Sequence, residues 1–168
     1  MTDEHPFTRL TPDLVMDAVE SVGYQCDARI LELNSYENRV YQIGIEESEP
    51  VVGKFYRPDR WSNEEILEEH EFTQELADEE ISVVAPLEIE ENRTLGSFNQ
   101  FRFSLYPRRG GRAPELDDLN CLEILGRFIG RIHSVSTRRR FEYRRAISIE
   151  EYGIETRNFL LEKNFLPL

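Results

Sequence analysis

The sequence predicts an α+β fold built on a five-stranded antiparallel sheet and one long helix. An N-terminal helical pattern is followed by three strand-like runs, and the short links between those runs have the composition of hairpin turns. An amphipathic helix and two further strand-like runs come next. After them, a connector with two adjacent glycines leads into helical sequence only. This order predicts a small α+β lobe over residues 1–107 and a separate helical region over residues 108–168.

The first helix and the three strands that follow it have clear local signals. Thr11 is a suitable N-cap, Pro12 suits the first helical position, and apolar residues then recur at helical spacing until Gly23. Residues with high strand propensity are then concentrated near 29–33, 40–45 and 51–56.

The long helix is the best marked element of the first region. Ser62 and Glu65 form a capping-box pattern, and an apolar face continues to about Asp78. Two more strands are predicted near 86–90 and 98–106, separated by a turn at 91–93.

The second region reads as helical. Asp117 or Asp118 is predicted to cap a helix that carries apolar residues up to Ile132. A last helix is predicted to begin near Ser148, with Glu151 completing another capping box. The apolar faces of these helices need cover, so we expect this region to be the beginning of a larger lobe.

Charge and composition exclude several functional classes. The formal net charge is −13, and it divides into −16 over residues 1–107 (8 basic, 24 acidic) and +3 over residues 108–168 (12 basic, 9 acidic). The acidic region argues against nucleic-acid binding. The apolar runs are too short to span a membrane, and the acidic N-terminus does not resemble a secretory signal. Two distant cysteines imply no disulfide framework, so a cytoplasmic protein is expected.

Lys54 is the first candidate for chemistry. It shares a strand face with Val52, while Gly53 and Phe55 share the other face, and a lysine on a covered face needs a partner. The following helix is rich in carboxylates, and Glu69 is the favoured partner, with Glu68 as the second choice. The competing interpretation is a surface lysine beside solvated glutamates.

Two further segments are candidates for ligand contacts. Ser35 lies in the link between the first two strands, where a hydroxyl and backbone amides suit a phosphate. Tyr106 and Arg108 lie where the last strand enters the connector, and exposed main-chain groups there suit the edge of a base. The competing interpretations are an ordinary hairpin turn and an ordinary strand end.

The remaining histidines, cysteines, serines and arginines do not indicate a further catalytic or metal site. His133 is expected to pack on the apolar face of its helix, and no two of the three histidines have metal-ligand spacing. No serine or cysteine nucleophile motif is present. The arginines at 138–140 and 144–145 suit a phosphate or an acidic partner, although a solvated helix end is favoured.

Two long motifs resemble the aminoglycoside phosphotransferase and choline kinase-like family, and within it the bacterial stress response kinases, which are Ser/Thr protein kinases. These motifs are LNSYENRVYQ at 33–42 and VGKFYRPDRW at 52–61. Shorter segments agree with them: ILEEHEF at 66–72, GGR at 110–112 and GRFIGRIH at 126–133.

The resemblance implies a protein-kinase-like N-lobe over 1–107, followed by the hinge and first helices of an incomplete C-lobe over 108–168. It implies that Ser35 contacts ATP phosphate, that Lys54 binds the α- and β-phosphates while paired with Glu69, and that Tyr106 to Arg108 form the adenine-facing hinge. The family's His-Gly-Asp catalytic loop and its later magnesium-binding aspartate are absent from the sequence. No catalytic residue and no metal ligand is therefore expected in this chain, and the Mg²⁺ ligands are expected in a missing part of the C-lobe.

Three functions follow from these observations. The first is an ATP-dependent Ser/Thr protein kinase of the stress-response type, of which this chain is the ATP-binding lobe and is inactive alone. The second is a small-molecule kinase acting on a sugar or an amino alcohol, which shares every residue discussed above. The third is a non-catalytic binding module, with self-association through the exposed helices of the second region.

Overall fold

The sheet and helices of a computed structural model, which describes residues 5–165, follow the predicted order. The elements are α1 (Pro12–Glu20), β1 (Cys26–Leu33), β2 (Arg39–Ile45), β3 (Val51–Phe55), α2 (Asn63–Asp78), β4 (Gly96–Phe98), β5 (Phe101–Pro107), α3 (Leu119–Ser136), a π-helical segment (Glu150–Glu155) and α4 (Thr156–Glu162). The strands form one antiparallel sheet in the order β1-β2-β3-β5-β4. The predicted α+β class with five antiparallel strands is confirmed.

The two faces of the sheet have different roles. Ile43, Phe55 and Phe103 are fully buried on one face, where they pack in the same core as Val15 and Val19 of α1. Each such side chain stabilises the fold by about 1.5–3 kcal/mol. The opposite face carries the other set of alternating residues and is the face that α2 approaches. The strand period therefore separates a dry core from a face that is available for polar groups.

Local signals explain where the first two helices begin. The Thr11 hydroxyl accepts a hydrogen bond from the backbone N–H of Leu14, and Pro12 occupies the first helical position of α1. At α2, Ser62 and Glu65 form the complete capping box, with bonds of 3.1 and 2.7 Å between side chains and backbone N–H groups.

One strand prediction is wrong. Residues 86–90 do not form a strand; Leu87 donates a single 2.7 Å backbone bond to the carbonyl of Leu105. The fourth strand is Gly96–Phe98, and the hairpin turn to β5 includes Asn99, whose φ is 51°. Asparagine tolerates this left-handed conformation better than most residues, and two polar residues within an aromatic-rich run concealed the turn.

The second region contacts α2 through a small apolar cluster. Leu76, Ile81 and Val135 are buried together, and Phe72 and Phe128 pack around them. Asp118 caps α3 by accepting from the N–H of Asn120 at 3.0 Å, and the Ser148 hydroxyl accepts from the N–H of Glu151 at 3.1 Å. The two predicted helix starts are therefore recognisable in the structure.

Much apolar surface in this second region faces solvent. The exposed side chains include Leu116, Leu119, Leu122, Ile124, Ile129, Ile147, Ile149, Tyr152, Ile154 and Phe159. Within residues 5–165, none of the helices combines the length and the hydropathy that crossing a bilayer requires.

Candidate functional site

Lys54 and Glu69 meet on the α2 side of the sheet. Lys54 Nζ lies 2.9 Å from Glu69 Oε1, and both side chains are partly buried. The strand period directs Lys54 to this face, and the second turn of α2 brings Glu69 to it. The pair expected from the sequence is present, and Glu69 rather than Glu68 forms it.

The electrostatics of the site favour the ionised form of Glu69. Burial acts to raise the pKa of Glu69, but Lys54 and then Arg144 outweigh this effect and hold the pKa below its ordinary value. The Lys54 ammonium also lies 4.9 Å from the centroid of the Tyr56 ring, which is within cation–π range. The ionised Glu69 carboxylate therefore orients the Lys54 side chain through the ion pair.

A cleft of about 380 Å³ opens beside the pair. Its lining combines apolar, aromatic and charged side chains: Val40, Val52, Lys54, Glu69, Thr73, Val84, Tyr106, Pro107 and Arg109. The volume falls within the range of about 300–1,000 Å³ that is usual for small-molecule sites. An apolar wall beside two cationic groups suits a ligand with one apolar part and one anionic part.

Ser35 lies in the β1–β2 loop, and its hydroxyl is engaged within that loop. Ser35 Oγ donates to the carbonyl of Asn38 at 2.9 Å. To donate to an incoming phosphate, Ser35 must release this bond, whereas the hydroxyl oxygen stays able to accept.

The β1–β2 loop is held from outside by the linker between β3 and α2. Glu37 accepts hydrogen bonds from the indole N–H of Trp61 and, at 3.2 Å, from Arg60. Asn38 Oδ1 accepts from the backbone N–H of Arg57 at 3.3 Å. Sequence analysis missed this connection, although Glu37 and Trp61 both lie in the motifs that carried the family resemblance.

Tyr106 lies near the end of β5 and lines the cleft. Burial raises the pKa of its hydroxyl far above the ordinary tyrosine value, and the Tyr56 hydroxyl lies 3.5 Å away. β4 pairs only with Phe101 to Phe103. Within the part of the chain that the structure describes, no strand pairs with β5 on this side after Phe103.

The two arginines that follow β5, Arg108 and Arg109, differ in their position relative to the cleft. Arg108 is exposed and does not contribute to the lining of the cleft, whereas Arg109 does contribute. The sequence had singled out Arg108 with Tyr106.

A buried histidine behind the pair was also missed. His70 Nε2 lies 2.9 Å from the Tyr56 hydroxyl and 3.3 Å from Ser104 Oγ, and Nδ1 lies 2.8 Å from Thr94 Oγ1. Burial lowers the pKa of His70 to about 4. The polar residues Tyr56 and Ser104 at alternate strand positions facing α2 were the available signal.

Glu68 has a different role from Glu69. Its carboxylate accepts hydrogen bonds from the backbone N–H groups of Glu142, Tyr143 and Arg144, the last two at 3.1 and 2.8 Å. Burial acts to raise the pKa of Glu68, but these donors outweigh it and keep the pKa below its ordinary value. Glu68 thus binds the main chain that follows α3 to the middle of α2.

The basic run of the second region neutralises the acidic helix. Arg138 pairs with Glu79, and Arg139 lies within 3.3 Å of Glu71 and 3.4 Å of Glu75. Both arginines are exposed after the end of α3, as expected, and they also form ion pairs with these carboxylates. Part of the basic run therefore contacts acidic residues of the same chain.

Metal ligands are not brought together in the described residues. Across residues 5–165, no three side chains of histidine, cysteine, aspartate or glutamate converge as a metal site requires. The described residues therefore do not form a divalent-cation site by themselves. His133, which was expected on an apolar face, is exposed.

Comparison with known proteins assigns the chain to a family. The sequence profile of the phosphotransferase enzyme family matches residues 29–162. This chain belongs to that family.

Curated members of the family include close relatives. The chain is 40% identical over 161 residues to "Stress response kinase A" of Shigella flexneri, covering 96% of this chain and 49% of that protein. It is 39% identical over 161 residues to "Serine/threonine protein kinase RdoA" of Salmonella typhimurium, with the same two coverages. The chain therefore spans about half the length of the curated relatives it matches.

Solved phosphotransferase structures share the fold. The amicoumacin kinase hAmiN, in complex with AMP-PNP, Ca²⁺ and Ami, superposes with a TM-score of 0.73 at 21% identity, over 93% of this chain and 54% of that one. A microcompartment-associated aminopropanol kinase superposes with a TM-score of 0.69 at 18% identity, over 89% of this chain and 49% of that one. At identities this low, the superpositions support a shared fold but not a shared substrate or activity.

Proposed function

We propose that residues 1–107 form the nucleotide-binding lobe of an ATP-dependent phosphotransferase, and that residues 108–168 supply the hinge and the first helices of its second lobe. The observation that carries this proposal is the 2.9 Å ion pair between Lys54 and Glu69 at the edge of a cleft. Phosphoryl transfer depends mainly on positioning and charge neutralisation, and a lysine oriented by a glutamate supplies both for a triphosphate.

The lining of the cleft suits the two ends of ATP. Val40, Val52 and Val84 form the apolar part, where a base would lie, with Tyr106 and the main chain up to Arg108 as the hinge. Lys54 would hold the α- and β-phosphates, and Ser35 in the β1–β2 loop would contact a phosphate oxygen. ATP supplies the transferred phosphoryl group; these residues bind and orient it.

Catalysis needs groups that this sequence does not contain. The family's His-Gly-Asp loop and its magnesium-binding aspartate are absent from the 168 residues. We therefore expect the chain by itself to bind ATP and to transfer little phosphate, with the Mg²⁺ ligands and the base supplied elsewhere in the enzyme.

Protein hydroxyl groups of serine and threonine are the acceptor that we favour. The relatives at about 40% identity are named as stress response kinases, one of them as a serine/threonine protein kinase. A small-molecule acceptor is the second candidate, because the solved structures that share the fold are named as kinases of amicoumacin and aminopropanol. Their lower identity to this chain makes them the weaker guide.

The binding test compares the only two lysines of the chain, Lys54 and Lys163. Lys54→Met should lower MgATP affinity about tenfold to a hundredfold in isothermal titration, because one charge-assisted hydrogen bond is lost. Arg144 still contacts Glu69, so the substitution leaves no isolated buried carboxylate. Lys163, which is exposed near the end of α4, supplies the control Lys163→Met, with affinity unchanged within twofold.

Three outcomes would contradict the proposal or a part of it. Equal MgATP affinity of the Lys54 and Lys163 variants would show that Lys54 does not contribute to ATP binding. No saturable binding by the unmodified chain would favour the non-catalytic module. Robust transfer of ³²P from ATP to a generic acceptor protein by this chain would contradict the division of roles between the two lobes.

A further inference from the structure

Arg144 contacts three different groups of the first region. It follows α3 by eight residues, and its side chain is 27% exposed. Its Nε donates to the carbonyl of Glu65 at 3.0 Å, its Nη2 contacts Glu69 Oε2, and its guanidinium carbon lies 4.7 Å from the centroid of the Trp61 ring. A planar guanidinium can make these three contacts together, whereas a lysine ammonium cannot.

The main chain beneath Arg144 is fixed independently of its side chain. Glu68 is only 8% exposed, and its carboxylate accepts hydrogen bonds from the backbone N–H groups of residues 142 to 144. Charge-assisted bonds of this kind are about twice as strong as neutral ones. The position of Arg144 is therefore set by a buried anchor and not by a surface ion pair alone.

On one side, Arg144 acts on the lysine pair. Glu69 uses Oε1 for Lys54 and Oε2 for Arg144. With both oxygens engaged, the carboxylate cannot rotate away from Lys54 without breaking a second ion pair. Arg144 thus restricts where the Lys54 ammonium can lie.

On the other side, Arg144 acts on the β1–β2 loop through Trp61. The indole N–H of Trp61 is bonded to Glu37 in that loop, while Arg60 lies 4.9 Å from the centroid of the same ring. A single path of contacts therefore runs from the loop through Trp61 and Arg144 to Glu69 and Lys54.

We propose that Arg144 is a positioning residue for nucleotide binding, which fixes Lys54 and the β1–β2 loop relative to each other. This inference rests on the proposed function. If only a fraction of molecules holds both elements in place, the apparent affinity for a triphosphate falls by that fraction. Arg144 raises the fraction without touching the ligand.

The test compares two neighbouring arginines. Arg144→Met removes the charge and keeps most of the stem, and Arg145→Met removes an equal charge from an exposed neighbour. We expect MgATP affinity to fall about fivefold to twentyfold for Arg144→Met and to stay within twofold for Arg145→Met. Arg144→Lys keeps a positive charge beside Glu69, and its MgATP affinity should fall about threefold.

Two readouts without nucleotide separate positioning from a general effect on folding. Trp61 is the only tryptophan, so its emission reports the stacked ring directly, and it should shift in Arg144→Met. With ¹⁵N-labelled lysine, the Nζ signal of Lys54 should move in Arg144→Met, while that of Lys163 serves as an internal reference. Circular dichroism checks that each variant is folded.

The outcomes distinguish this inference from the proposed function. If the unmodified chain binds no MgATP, both fail. If Lys54→Met loses affinity but Arg144→Met and Arg144→Lys do not, Arg144 is a structural contact only and the inference alone fails. If Arg144→Met does not fold, Arg144→Lys decides: unchanged affinity and unchanged Trp61 emission would overturn the proposal.

Discussion

The hydroxyl of Tyr56, just beyond β3, lies 2.9 Å from Nε2 of His70 in the middle of α2. Both residues are almost completely buried, and the other ring nitrogen of His70 faces the Thr94 hydroxyl at 2.8 Å. A neutral imidazole offers one donor and one acceptor, and the hydroxyl groups at its two ring nitrogens can satisfy both. His70 therefore ties α2 to the sheet one residue away from Glu69, and it does so uncharged.

The first prediction is that stability falls as the pH falls from about 6.5 to 4. Burial lowers the pKa of His70 to about 4 in the folded chain, while an unfolded histidine titrates near 6.5. Below pH 6.5 the unfolded state binds a proton that the folded state does not, so the free energy of unfolding decreases, by about 1–3 kcal/mol over this window. Urea unfolding at several pH values measures it.

Two variants isolate the contribution of His70. His70→Gln should flatten the decrease between pH 6.5 and 4, because the titrating group is gone. His133→Gln, at an exposed site, should leave the slope unchanged. Carboxylates away from His70 affect both variants alike at the acid end and cancel in the comparison, whereas Glu69 interacts with His70 and contributes to the difference. A slope that His70→Gln does not alter would mean that another group titrates.

The second prediction concerns the anchor that Glu68 provides. Glu68→Gln replaces an acceptor oxygen with an NH₂ group that faces backbone donors, and it should lower the free energy of unfolding by about 2 kcal/mol. Glu71→Gln removes a carboxylate that pairs only with the exposed Arg139 side chain, and should cost less than about 1 kcal/mol. Equal losses in chemical denaturation would contradict the role of the buried carboxylate.

The third prediction is self-association at high concentration. Leu119 is 80% exposed and Ile129 is 49% exposed on α3, with further apolar side chains in the segment that follows. Large apolar patches on a folded surface favour association. Sedimentation velocity should show a concentration-dependent increase in mass, and Ile129→Glu should weaken it. A single monomeric species across the whole range would refute the expectation.

Sequence patterns were sufficient for contacts that follow from periodicity and local chemistry. The period of two put Lys54 on the α2 face, and α2's carboxylates supplied Glu69 as its partner. Capping chemistry located the start of α2 at Ser62, because the whole signal lies within four consecutive residues.

Contacts between distant parts of the chain were not predictable in this way. Glu68 and Arg144 are adjacent only because the chain after α3 returns to α2, and no periodicity encodes that return. The same holds for Glu37 and Trp61, whose bond joins two loops. The misplaced fourth strand had a local cause: Asn99 turns the chain inside a run of aromatic residues with high strand propensity.

The fourth prediction separates the core face of β3 from the face that carries Lys54. A Cβ at Gly53 would lie 2.9 Å from Ile43 Cδ1 and 3.3 Å from Phe55 Cε2, so Gly53→Ala should cost about 1–3 kcal/mol of unfolding free energy. Gly110→Ala, with open space around it, should be neutral within about 0.5 kcal/mol. Lys54 lies on the opposite face, so MgATP affinity of folded Gly53→Ala should stay within about threefold of the unmodified chain. A tenfold loss of affinity would show that the two faces are not independent.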